Sequence, residues 1–216
     1  RELGEFILAN HGNISKLESI RLKHQAQLRG ETSSLDKWKD LPLIINLSFN
    51  VHGNEAAGSE AALNTLYALI AKPNRSIPYV ILIDPCINPD GYVYNETTNP
   101  NGGGMWRKNR RLNSGGSYGV DLNRNYSYGW GTTGTSFTQT SETYCGTAAF
   151  SEPETQAMRW LVQNHRFVTA FNAHTYAEDI LFPIGTTTAE FADHHDYFQE
   201  YTNEMVRFNG YTAMKS

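Results

Sequence analysis

The chain has 216 residues, with 18 Lys plus Arg against 22 Asp plus Glu, a formal net charge of −4. That mild acidity argues against a nucleic-acid or anionic-membrane partner, either of which selects a basic face. Charged residues at 19% and hydrophobics at 39% exclude both a charge-rich disordered segment and a membrane protein.

The longest apolar runs, residues 43–51 and 80–83, fall far short of the ~18–20 residues a membrane helix needs. The length suits one domain, here expected to be incomplete. The first residues carry neither a signal-like segment nor an initiator Met, and the last stop where a strand could begin.

Along the chain, residues 43–51 read as a buried, partly β-branched strand. Alanines and leucines then recur at helical spacing over 55–71, ended by Pro73. Residues 79–83 form a second strand, and Asn88-Pro89-Asp90-Gly91 is a turn signal. Residues 95–151 show little period and many Gly, Asn, Ser and Thr; so long a loop region inside a compact domain is usually functional. A helix over 154–163 follows, with Pro153 at a tolerated first-turn position. Residues 167–173 are a third buried strand, 180–182 a short fourth, and 189–208 an amphipathic helix carrying Phe191, Phe198 and Met205. Apolar strands alternating with helices predict an α/β domain on a mixed, mostly parallel sheet.

In open α/β sheets, ligands bind beyond the carboxyl ends of the strands. There the sequence places His52-Gly53-Asn54-Glu55 after the first strand and His174-Thr175-Tyr176 after the third. Imidazole and carboxylate are first-choice zinc ligands, and a catalytic zinc keeps three protein ligands plus one open position. Taken alone, His-x-x-Glu is short enough to arise by chance, and His174 could be a satisfied core histidine. Between them, Arg107, Lys108, Arg110 and Arg111 put four cations in five positions, and Asp121-Leu122-Asn123-Arg124-Asn125-Tyr126 follows closely. Arginine suits bidentate carboxylate recognition with an Asn amide beside it. Asp121 could orient a metal-bound histidine. The bland alternative is a solvated basic loop paired with surface acids.

Together these residues resemble the zinc carboxypeptidases of the carboxypeptidase A/B type, with the loop most similar to the bacterial carboxypeptidase T branch. The resemblance rests on His52-Gly53-Asn54-Glu55, Asn88-Pro89-Asp90-Gly91-Tyr92, Trp106-Arg107-Lys108-Asn109-Arg110, Asp121-Leu122-Asn123-Arg124-Asn125-Tyr126, Ser141-Glu142-Thr143-Tyr144, Phe150-Ser151-Glu152-Pro153-Glu154-Thr155 and His174-Thr175-Tyr176, in the family's order. It implies a three-layer fold with a twisted sheet whose last strands lie beyond residue 216. It also implies one zinc per chain, bound by His52, Glu55 and His174 with Asp121 behind His52. Asn123 and Arg124 then grip the substrate's terminal carboxylate, Arg107 polarises the scissile carbonyl, and Tyr176 walls a subsite. The implied reaction is hydrolysis of the C-terminal peptide bond of peptides or proteins by a zinc-activated water. The implied protein is a monomer outside the cell or in the periplasm. Because the family's general-base glutamate comes later than residue 216, the segment itself is expected not to turn over substrate. Asn54 stands where pancreatic members carry Arg, as in several bacterial members.

Two rival readings are an amidase or endopeptidase of the same fold acting on cell-wall-like peptides, and a non-catalytic zinc-retaining peptide-binding module. Cys86 and Cys145 are either bridged or two thiols. The adjacent His194 and His195 do not share a helix face and suit a solvated surface. Asn13-Ile14-Ser15 and Asn95-Glu96-Thr97 are glycosylation sequons.

Overall fold

The computed structural model describes residues 4–31, 41–73, 76–185 and 192–216. Strands β1 (Phe6–Ala9), β2 (Leu43–Phe49), β3 (Tyr79–Asp84) and β4 (Thr169–Ala173) form one sheet in the order β1-β3-β2-β4, the last three from the expected apolar runs. β2 runs parallel to both β3 and β4, whereas β1 is antiparallel to β3, so the sheet is mixed and mostly parallel as expected. The helices are α1 (Leu17–Leu28), α2 (Ala57–Ala71), α3 (Pro89–Thr98), α4 (Pro153–Asn164) and α5 (His195–Val206). β5 (Asp179–Phe182) and β6 (Thr212–Lys215) form a separate parallel pair that packs with α5.

Strand alternation sorts the core into two layers. Ile44, Val80 and Leu82 face Ile20 of α1 and Met158 and Leu161 of α4. Tyr79, Ile81 and Ile83 point the other way, against Ala62, Leu66 and Leu69 of α2. β3 is buried along its whole length, which explains its uninterrupted apolar run.

Several boundaries differ from the sequence reading. The 43–51 strand ends at Phe49, because Asn50 takes a left-handed backbone (φ 55°) that turns the chain out of the strand. Asn88-Pro89-Asp90-Gly91 opens α3 rather than making a turn. Asn88 Oδ1 accepts from the Gly91 N–H at 2.9 Å and Pro89 takes the first helical position. Asn, Pro and Asp serve tight turns and helix first turns equally well, so the local signal was ambiguous. The helix expected over 189–208 is α5; residues 186–191, Phe191 included, lie outside the described residues. β1 and α1 had no counterpart in the sequence reading, and β1 is only four residues long. Both cysteines are free thiols, Cys145 fully buried, so the bridged alternative falls away. Asn13 and Asn95, the sequon residues, are both buried.

Glu5, just before β1, neighbours Asp84 at the end of β3. Loss of hydration, then the Asp84 charge and hydrogen bond, push the Glu5 carboxyl up to about 7. The folded chain therefore holds a proton here that the unfolded chain releases near the ordinary carboxylate range. Stability from this pair should fall as pH rises from about 4.5 through 7. Urea denaturation across that window should show the decline, and Glu5→Gln should flatten that part of the profile; an unchanged slope would refute it.

Candidate metal centre

The site forms where β2 and β4 end side by side. Their parallel register pairs Phe49 with Ala173. His174 follows Ala173 directly, while Asn50 and Val51 carry the chain from Phe49 round to His52, with Glu55 just before α2. Asn50 is fully buried and holds this turn, donating from Nδ2 to the His52 carbonyl and accepting from Ser59 Oγ at 3.0 Å.

The ligand atoms of His52, Glu55 and His174 all lie within 4.8 Å of one another. His52 Nδ1 is 2.8 Å from Glu55 Oε1, and His174 Nδ1 is 3.1 Å from Glu55 Oε2. Both imidazoles thus present the same nitrogen to one carboxylate. Glu55 Oε2 is buried without an aligned hydrogen bond, the pattern expected of an oxygen arranged for another partner. Donors about 2.0–2.2 Å from one tetrahedral ion stand about 3.4 Å apart, so the group fits a single zinc.

Behind His52 lies Asp121, with no exposed surface. Its Oδ1 sits 3.3 Å from His52 Nε2 and accepts the Asn123 N–H at 3.0 Å. Its Oδ2 accepts from Arg107 Nε, with Nη2 equally close at 3.0 Å. Arg107 Nη1 reaches back to 3.3 Å from His52 Nδ1, so one guanidinium and one carboxylate frame the same imidazole. Burial alone would lower the His52 pKa, yet its bonds with Asp121 and Glu55 raise it above the ordinary value. Burial alone would raise Glu55, but the His174 and His52 imidazoles bring it down to about 2. Asp121 is also lowered, against its own burial, chiefly by His52 and the Arg107 charge. The carboxylates of this centre are held ionised, as a cation site requires.

The other expected residues sit beside this cluster to differing degrees. Asn123 and Arg124 belong to a short 3-10 turn, Leu122–Arg124, whose N-terminal cap is Asp121. Arg124 donates from Nε to the Gly134 carbonyl at 2.8 Å and from Nη1 to the Asn123 carbonyl at 3.0 Å. Asn123 is exposed. Tyr176, two residues after His174, is 97% exposed.

The four cations of the loop are not a solvated face. Arg107 pairs with Asp121, and Arg111 Nη1 with the fully buried Glu152. Lys108 is itself buried, donating to the carbonyls of Gln139 and Ser141 at 3.1 and 2.9 Å. Arg110 lies over the rings of Tyr94, Trp106 and Tyr118, 3.7–4.4 Å from their centroids. Sequence reasoning missed these structural jobs, although the interleaved aromatics were a usable signal.

The sheet thus ends in a His-x-x-Glu and His group that could hold one metal ion, backed by a buried aspartate and an arginine. The zinc carboxypeptidase family matches residues 33–213, and the chain belongs to that family. It is 36% identical to carboxypeptidase A2 of Rattus norvegicus across 97% of this chain and 52% of that protein. Against carboxypeptidase B of Bos taurus it is 44% identical across 46% of this chain and 24% of that protein. The crystal structure of carboxypeptidase A from Helicoverpa armigera superposes with a TM-score of 0.69 at 26% identity, over 81% of this chain and 44% of that one. The chain therefore spans between about a quarter and about half of the curated relatives it matches.

Asp121→Asn keeps the shape of the side chain but removes the charge facing both Arg107 and His52. Zinc affinity should fall 10–100-fold, the usual cost of losing a partner behind a metal ligand. Chelator competition measures it, and unchanged affinity would detach Asp121 from the metal centre.

Proposed function

We propose that the whole protein is a zinc-dependent carboxypeptidase hydrolysing the C-terminal peptide bond of peptides and proteins, with one zinc per chain held by His52, Glu55 and His174. One observation carries the reading. Both imidazoles turn Nδ1 to Glu55 while Arg107 Nη1 lies 3.3 Å from that His52 nitrogen, which sets a positive donor beside the metal position. Zinc, when bound, supplies a Lewis acid and lowers the pKa of its water to about 7.

The chain's own residues do the rest. Asp121, facing Nε2, favours the His52 tautomer that carries the proton on Nε2 and leaves the Nδ1 lone pair for a metal. Arg107, braced on Asp121 through Nε and Nη2, keeps Nη1 for the oxygen that gains charge as the carbonyl is attacked. Such a donor contributes on the order of 3–4 kcal/mol. Asn123 and Arg124 grip the substrate's free carboxylate, which confines cleavage to the last bond, and Tyr176 walls a subsite. We place the general base outside these 216 residues, in line with the family resemblance.

We read residues 1–216 as one peptidase domain of the carboxypeptidase T branch, on the loop motifs from Trp106 to Thr155. Secretion to the cell exterior or periplasm and a monomeric state complete the proposal. None of the described helices is long and apolar enough to cross a membrane.

The decisive test compares free-acid with C-terminally amidated peptides on the full-length, zinc-loaded protein. Free acids should be cut far faster; equal rates would point to an endo-acting enzyme. Arg107→Ala should lower kcat by about 10²–10³ with zinc content intact, and a change in KM alone would remove Arg107 from the oxyanion role.

A further inference from the structure

The segment Asn88-Pro89-Asp90-Gly91, which opens α3, has no role in the proposed reaction, yet its first residue sits at the joint of the site. Asn88 has no exposed surface. Its Nδ2 amide donates to two carbonyls, that of Val51 and that of Arg107, each at 3.3 Å. Val51 immediately precedes the ligand His52, and Arg107 is the guanidinium beside it. The Asn88 backbone N–H donates to the Asn50 carbonyl at 3.1 Å, so the same residue also holds the strand end from which the ligand turn springs.

The packing around this amide leaves little slack. The Arg107 carbonyl also accepts the Gly53 N–H at 2.9 Å, inside the His52-Gly53-Asn54-Glu55 turn. A Cβ on Gly53 would meet the Gly91 carbonyl carbon at 2.5 Å, and one on Gly91 would meet the Lys108 carbonyl oxygen at 2.6 Å. Three backbone segments therefore touch at glycines, and one amide side chain pins them in register.

We propose that Asn88 is a positioning residue that fixes the metal-ligand turn and the Arg107 segment relative to each other. It touches neither metal nor substrate. Its two amide hydrogens set the spacing between the metal ligands and the oxyanion-facing guanidinium. The inference rests on the carboxypeptidase reading for what Arg107 does, but not for the geometry it sets.

Two variants separate this bridge from the helix cap that Asn88 also provides. Ser and Asp both cap helices well, so Asn88→Ser and Asn88→Asp keep an acceptor for the Gly91 N–H. Ser is too short to span both carbonyls, and Asp turns an oxygen toward them. In full-length protein we expect both variants to lose at least about tenfold in zinc affinity by chelator competition, in the range for residues that support metal ligands. We expect kcat on a free-acid peptide to fall at least about tenfold, with KM nearly unchanged. If Asn88→Asp fails to fold, Asn88→Ser decides. A folded variant with lowered melting temperature but zinc affinity and kcat within about twofold of the parent would make Asn88 merely structural and overturn the proposal. A parent protein that cleaves no peptide would sink the carboxypeptidase reading, and zinc affinity alone would then decide the role of Asn88.

Discussion

Between α3 and α4 more than fifty residues cross the molecule with almost no ladder of regular hydrogen bonds, and several of them are fully buried. A buried amide or carbonyl left unpaired costs about 1–3 kcal/mol, so this stretch survives only where side chains replace the missing ladder. Asparagine does most of that. Asn125 donates to the carbonyls of Cys145 and Ala148 and to Ser151 Oγ, and accepts from Thr155 Oγ1, without exposing any surface. Asn109 accepts the Val120 N–H and donates to Glu152, and Asn95 exchanges two bonds with the Trp106 backbone. The composition rich in Asn and Gly is the chemical cost of packing irregular backbone tightly.

That network ends at the metal centre. Asp121 takes its place by donating its own N–H to the Tyr144 carbonyl at 2.8 Å, while its carboxylate receives Arg107, Asn123 and the His52 side. A fully buried carboxylate would ordinarily be neutralised by desolvation. Here the opposing guanidinium and imidazole outweigh burial, so the group stays charged and can orient its histidine. Removing only one member of such a set leaves an uncompensated buried charge, which costs far more than the intact set contributes. The loop and the ligands are for this reason one unit: the loop's hydrogen bonds set where Asp121 and Arg107 sit, and these two set the imidazole.

The strands and the longer helices were legible because burial imposes a period: continuous apolar residues in β3, helical spacing in α2 and α4. The grouping of His52, Glu55 and His174 was legible because they sit at strand ends, where an α/β sheet opens. What the local sequence hid were features decided by distant partners. Lys108 reads as a solvent-seeking cation, yet the carbonyls of Gln139 and Ser141, some thirty residues on, make burial tolerable. Arg107 reads as a catalytic group, and nothing nearby in sequence announces that Asp121 braces it. Asn88 reads as a turn residue, and only the arrival of Val51 and Arg107 from elsewhere gives its amide a second task. The thiols of Cys86 and Cys145 show the same limit, since spacing says nothing about proximity.

The centre also depends on a register. His52 and His174 come from adjacent parallel strands, and neighbouring strands stand only ~4.8 Å apart, so two ligands meet without any long excursion of the chain. A slip of one residue between β2 and β4 would move His174 about 3.3 Å along the strand and turn its side chain to the opposite face. Among the described residues β4 pairs with β2, through Ile45–Thr169 to Phe49–Ala173. A metal bridging His174 to the buried His52 and Glu55 would tie β4 to β2 at this register, so that zinc binding and the pairing of β2 with β4 would stabilise each other.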